Sequence, residues 1–134
     1  MVLRWTEAYS TGVPKLDDQH KVLFRATNDF RVAFEAGEME EKYAATLTFL
    51  THYIKGHFAM EEHCMEEYRC PVAQKNKKAH ESLTEALGGF VLRFEENGYS
   101  ASEAQALLLA LEGWLDSHIM RVDVQLRDCL STTR

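Results

Sequence analysis

Apolar residues recur along most of this chain at spacings of three and four, the rhythm of helices that each bury one face. The longest run steps through Tyr43, Leu47, Leu50 and Ile54, then on to His57, Glu61 and Cys64 or Met65. It predicts a helix from about residue 39 to about residue 68. A second run, His20, Leu23, Thr27, Phe30 and Phe34, predicts an earlier helix, capped by Asp17 or Asp18 and closed by Gly37. A third follows Ala73, Asn76, His80, Leu83, Leu87, Phe90 and Phe94, with Pro71 in its first turn and Asn97-Gly98 at its end. The Ser100-x-x-Glu103 capping box opens a fourth, with Leu107, Leu111, Trp114 and His118 inward and Val122 and Leu126 beyond.

Four helices joined by short loops pack most simply as an all-α, up-down-up-down four-helix bundle. Residues 1–16 lack a period and hold Ser10, Gly12 and Pro14, so they read as an arm pinned by Trp5 and Tyr9. The bundle is expected over about residues 17–130, with 131–134 a frayed tail. Gly88-Gly89 inside the third helix suggests close approach of a neighbouring helix.

Composition narrows the function. The 134 residues carry a formal net charge of −6, which argues against nucleic acid as a partner. No apolar run approaches the length of about 20 residues needed to span a bilayer. The start of the chain has no signal-peptide-like apolar stretch. Cys64, Cys70 and Cys129 form no CxxC pair and read as reduced thiols of a cytoplasmic protein.

The informative residues are the ionisable ones that interrupt the apolar stripes. In an antiparallel bundle His20, His57, Glu61, His80, His118 and Asp123 all fall at one end. One buried histidine is an ordinary core residue. Four in one layer, with a carboxylate that costs several kcal/mol to bury unpaired, point to a metal. Imidazole mixed with carboxylate suits iron or manganese, and the lack of cysteine on these stripes argues against structural zinc. Two carboxylates among several histidines can bridge two ions. Asp123, five residues after His118, stands about 140° round an ideal helix and reaches the site only from the flank. His52 and His63 fall on the far side of their helix and read as solvated, as do Glu61-Glu62, Glu66-Glu67 and Glu95-Glu96 where they leave the stripe. Cys64 beside the stripe reads as a buried inert thiol or, less simply, a redox reporter.

These residues resemble the hemerythrins, in particular the single-domain bacteriohemerythrins. Trp5, Tyr9 and Gly12 are similar to the family's N-terminal arm. Asp17-Asp18-Gln19-His20 resembles its D-x-Q-H, residues 57–65 its H-F-x-x-E-E-x-x-M, and residues 114–123 its W-L-x-x-H-I-x-x-x-D. The resemblance covers nearly the whole chain, 1–134, as a single hemerythrin-like domain. It implies a cofactor of two iron ions (Fe2+/Fe3+), oxo- or hydroxo-bridged, that binds O2 reversibly. It further implies that His20 and His57 hold one iron and His80 and His118 the other, with Glu61 and Asp123 bridging. Trp114, Phe58 and Leu23 would wall the O2 pocket.

One position departs. The family's third helix carries H-x-x-x-H, and this chain has Asn76-Lys77-Lys78-Ala79-His80. An amide offers only its carbonyl oxygen, so Asn76 is a weak or lost ligand and the second iron site is impaired or open, with two irons or fewer retained. The leading expectation is a non-enzymatic carrier, store or local supplier of O2, monomeric, docking to an oxidase or a signalling protein. The alternatives are an O2 or redox sensor acting through a partner, since no output domain follows the bundle, an iron protein that reduces O2 or peroxide, and a bundle that has lost its metal.

Overall fold

The computed structural model describes residues 2–132. Four long helices, α1 (Pro14–Glu35), α2 (Met39–Glu67), α3 (Ala73–Asn97) and α4 (Ala101–Arg121), form the body, followed by a short α5 (Leu126–Thr132). Each long helix packs on its neighbours in the chain and α1 closes against α4, giving the up-down-up-down four-helix bundle. No strand occurs among the described residues. Likewise, no helix among them is long and apolar enough to cross a membrane.

The stripe of α2 lies inward along its full length: Tyr43, Leu47, Leu50, Ile54, His57, Glu61 and Met65 are all buried. Gly37 has φ +74° and completes a C-terminal cap in which its N–H reaches the Phe34 carbonyl and that of Glu38 reaches Ala33. The end of α2 repeats this pattern with Arg69, at φ 53°, in the place where glycine is usual. Ser100 accepts from the Glu103 N–H as a helix cap, while the Glu103 carboxylate turns to Arg93 instead of completing the box.

Several expectations need correction. α1 begins at Pro14, its first-turn proline, three residues inside the segment read as arm. Asp17 therefore does not cap it. Its buried carboxylate accepts from Ser10 Oγ, Thr11 N and Thr11 Oγ1 and anchors the arm. Tyr9 adds a 2.6 Å hydrogen bond to Asp116, and Lys21 sits 4.3 Å over the Trp5 ring. Pro71 lies in the turn before α3 rather than in its first turn. The fourth helix does not run on to about 130: α4 ends at Arg121 and a 3-10 turn, Asp123–Gln125, leads into α5. α5 carries residues 131 and 132 of the expected tail, while 133 and 134 lie outside the described residues.

The cysteines also differ from expectation. Cys70, after α2, and Cys129, on α5, form a disulfide across 59 residues, and only Cys64 is free. Cys70 and Cys129 lie with Leu16, Met65 and Leu126 in a small apolar cluster that seats α5 on the bundle. Their positions are set by tertiary packing, which spacing along the chain does not report.

Gly88-Gly89 marks no close helix approach. A Cβ at Gly88 would meet nothing within 4 Å, and one at Gly89 only the flexible end of Arg93. Gly88→Ala is therefore expected to stabilise the protein by about 1 kcal/mol, through helix propensity alone. Urea unfolding of the two proteins in parallel checks it. An unchanged or lowered midpoint would contradict it.

Candidate metal centre

The antiparallel arrangement delivers His20 from the first half of α1, His57 and Glu61 from the last third of α2, His80 from the start of α3 and His118 from the end of α4 into one layer. Asp123 joins them for a reason the helical rhythm does not contain. Because α4 stops at Arg121, Asp123 turns inward from the following 3-10 turn and is 1 % exposed, not a flanking residue of a continuing helix.

The two carboxylates organise the cluster. Glu61 is fully buried. Its Oε2 lies 3.1 Å from His20 Nε2 and 3.5 Å from His57 Nε2, and its Oε1 lies 3.0 Å from His80 Nε2. Asp123 Oδ2 is 3.3 Å from His20 Nε2, and its Oδ1 is 3.0 Å from His118 Nε2. Each carboxylate thus turns one oxygen toward each half. The result is two overlapping groups able to hold a metal, His20, His57, Glu61, Asp123 and Glu61, His80, His118, Asp123, with ligand atoms all within 4.8 Å of one another in each.

Metal ions fit this donor set. Glu61 Oε1, His80 Nε2 and Asp123 Oδ1 are buried without a hydrogen bond, although each lies 3.0 Å from an opposing donor or acceptor. Their lone pairs converge on shared space rather than on one another. Bonds of about 2.0–2.2 Å from imidazole and carboxylate place the ligands of one ion up to about 4.4 Å apart, close to the spread seen in each half.

Two residues missed by sequence reading orient the imidazoles. His57 Nδ1–H donates to Gln19 Oε1 at 2.6 Å, and His80 Nδ1–H donates to Glu62 Oε2 at 2.9 Å. Each bond fixes the tautomer that offers Nε2 inward. Glu62 is half-buried on the bundle, not part of a solvated acidic patch. The signal was present, since Gln19 directly precedes His20 and Glu62 directly follows Glu61.

Asn76 is fully buried one turn before His80, and its Oδ1 accepts from His118 Nε2 at 2.7 Å. His52 and His63 are exposed, as their position on α2 requires. Phe58 stacks flat on His80 with ring centres 3.6 Å apart, and Trp114 stacks on His118 at 4.2 Å. Leu23 lies in the same apolar core as Phe58. Trp114 is only half-buried, and the cleft it lines with Lys75, Ser117 and Arg121 reaches His118. Burial pushes the free Cys64 thiol up, with Glu67 and Glu61 adding to it, so it is a poor thiolate.

In the metal-free protein these charges balance one another. Burial lowers the pKa of His20, but Asp123 and Glu61 outweigh it and hold the imidazole at about 9. Burial likewise opposes ionisation of Glu61, yet His20, His57 and His80 hold its carboxyl well below the usual range. A folded-state pKa raised above the unfolded value stabilises fully below about 6.5 and is lost as pH rises through 9. The Glu61 contribution, present above about 4.5, is lost on acidification. Chelator-treated protein should therefore melt highest near pH 5–6.5 and several degrees lower at pH 9, as calorimetry can show. A flat profile across that range would contradict the pairing.

A family model described as the hemerythrin HHE cation binding domain matches residues 11–126. Bacteriohemerythrin of Pseudomonas aeruginosa is 29 % identical over 121 residues, 90 % of this chain and 76 % of that protein. Bacteriohemerythrin of Methylococcus capsulatus is 28 % identical over 97 % of this chain and 98 % of its own length. Myohemerythrin of Theromyzon tessulatum is 30 % identical over 90 % of this chain and 87 % of its own. A crystal structure of a leucine-to-tyrosine variant of hemerythrin superposes with a TM-score of 0.81, covering 98 % of this chain and 100 % of that one, at 25 % identity.

Proposed function

Because the chain belongs to the hemerythrin family, we propose that it binds O2 reversibly at a pair of iron ions held by His20, His57, Glu61, His80, His118 and Asp123. One observation carries this reading: Glu61 and Asp123 each turn one oxygen to the His20–His57 half and the other to the His80–His118 half. When bound, the iron pair would supply the electrons that O2 shares on binding and returns on release.

The chain's own residues do the rest. Gln19 and Glu62 hold Nδ1 protons so that His57 and His80 present Nε2 to the centre. Glu61 and Asp123, both buried, supply negative charge that offsets two cations. Phe58 lies flat on His80 with Trp114 beside it as the outer wall, and Leu23 belongs to the same apolar core. The first half has His20 and His57 as nitrogen donors, leaving room for an exchangeable ligand. The second half has His80 and His118 with the amide of Asn76, a poorer donor to iron than imidazole, so its iron is held less tightly than a third imidazole would hold it.

Binding rather than turnover fits a carrier, store or supplier of O2. Asn76 and the solvent-reaching cleft at His118 favour a second reading, reduction of O2 or peroxide at an open iron. The cytoplasm is our proposed compartment, with a condition attached. A reducing cytosol would keep Cys70 and Cys129 as thiols, so thiol counting on protein purified under alkylation tests the placement.

The deciding experiment loads the protein with Fe(II) without air, counts iron per chain and follows the visible spectrum through cycles of air and argon. About two irons and a band that comes and goes support O2 binding. A band that forms once and does not reverse favours reduction, and a chain that retains no iron overturns both. Asn76→His should raise the iron retained after dialysis by about tenfold in affinity at the second half.

A further inference from the structure

We propose that the half built by Asn76, His80 and His118 is an oxygen-biased site that accepts Mn(II) in competition with Fe(II), while the His20–His57 half takes iron. A mixed manganese–iron centre then forms when both ions are present. The inference rests on the reading that this cluster holds metal, and goes beyond it by giving the two halves different metal preferences.

Asn76 is not merely an absent ligand. It is 0 % exposed, and its Oδ1 lies 2.7 Å from His118 Nε2, the nitrogen that is also 3.0 Å from Asp123 Oδ1. Two donors on one ion, with bonds of about 2.1 Å at right angles, stand about 3.0 Å apart. The amide oxygen therefore already has the spacing of a neighbouring ligand, bridged here by the imidazole proton that an ion would displace. Its Nδ2 is buried and makes no hydrogen bond, so what holds the side chain in place is its oxygen's bond to His118. The stack of Trp114 on His118 and of Phe58 on His80 keeps both imidazoles in that geometry.

The donor sets then differ in kind. The first half offers two imidazole nitrogens and two carboxylates. The second offers the same set plus a carbonyl oxygen from Asn76. Imidazole suits iron, whereas carboxylate, carbonyl and water suit manganese and magnesium. Divalent affinities generally rise from manganese to iron, so a nitrogen-rich site rejects Mn(II) strongly. Both halves carry two imidazole nitrogens and two carboxylates, and the neutral oxygen of Asn76 makes the second half the more oxygen-rich of the two, which weakens that rejection there only.

The test loads metal-free protein without air, using about one equivalent of Fe(II) and about ten of Mn(II), removes unbound ions and measures both by elemental analysis. Wild type should retain about one manganese and about one iron per chain, with an electron paramagnetic resonance signal that differs from isolated Mn(II). Asn76→His should lose most of the manganese and gain iron. Asn76→Leu, which keeps the bulk but not the oxygen, leaves the two halves with matching donors and should lose the preference for manganese at the second half, iron taking its place. Equal manganese in wild type and Asn76→His, or manganese kept in Asn76→Leu, overturns the proposal while leaving oxygen binding at iron untouched. Wild type that retains neither ion overturns both.

Discussion

Glu61→Gln should empty both halves of the centre together, lowering iron affinity by at least about 100-fold and abolishing the oxygen-dependent spectrum. The loss of a residue that merely supports a ligand costs about 10–100-fold, and Glu61 faces His20, His57 and His80 directly. An amide keeps the volume but loses the charge that offsets the cations. The fold should survive, because in the metal-free variant the buried imidazoles can give up their protons instead of remaining charged without a partner. Circular dichroism with iron counting separates the two effects. Iron content at the wild-type level in a folded Glu61→Gln protein would remove Glu61 from the centre.

Breaking the Cys70–Cys129 bond should be the largest change outside the centre. A closed loop of this length, with the cysteines separated by 59 positions, stabilises by about 2–4 kcal/mol through restriction of the unfolded chain. The double variant Cys70→Ser, Cys129→Ser is therefore expected to melt about 10 °C lower. It should also release iron faster, because α5 is seated through Leu126 and Cys129 and begins directly after the turn that carries Asp123. Melting with and without a dithiol reductant, and iron release to a chelator, measure the two consequences. If the melt moves and iron release does not, α5 stabilises the bundle without positioning Asp123.

The parts of this molecule that could be read from sequence are those governed by a local period. The stripe of α2 alternates by three and four without interruption, so Tyr43 through Met65 could be placed inward with His57 and Glu61 among them. Antiparallel connection then brought the histidines of four helices to one level, with Asn76 one turn before His80 on the same buried face of α3. The end of α2, expected near 68, falls at Glu67, although Arg69 adopts the left-handed conformation at a cap where glycine would have announced it. The stop after Arg121 was hidden. Neither glycine nor proline follows it, and Val122 continues the apolar rhythm while its backbone leaves the helix. That break is what brings Asp123 inward.

Long side chains account for other misses. Glu62 points about 100° away from Glu61 round an ideal helix, which reads as surface, yet its reach carries it to His80. Arg31 spans from α1 to α4 to make two bonds to the buried Glu112, a pair 81 residues apart that no local pattern marks. The disulfide has a different cause, since pairing depends on where two chain segments meet in space.

A crystal structure of the iron-loaded protein, with anomalous scattering recorded at the iron edge, tests the arrangement most directly. Two peaks about 3.5–4 Å apart are expected, one beside His20 and His57 and one beside His80 and His118, with Glu61 and Asp123 reaching both. Peaks elsewhere on the chain, or none within this layer, would contradict it.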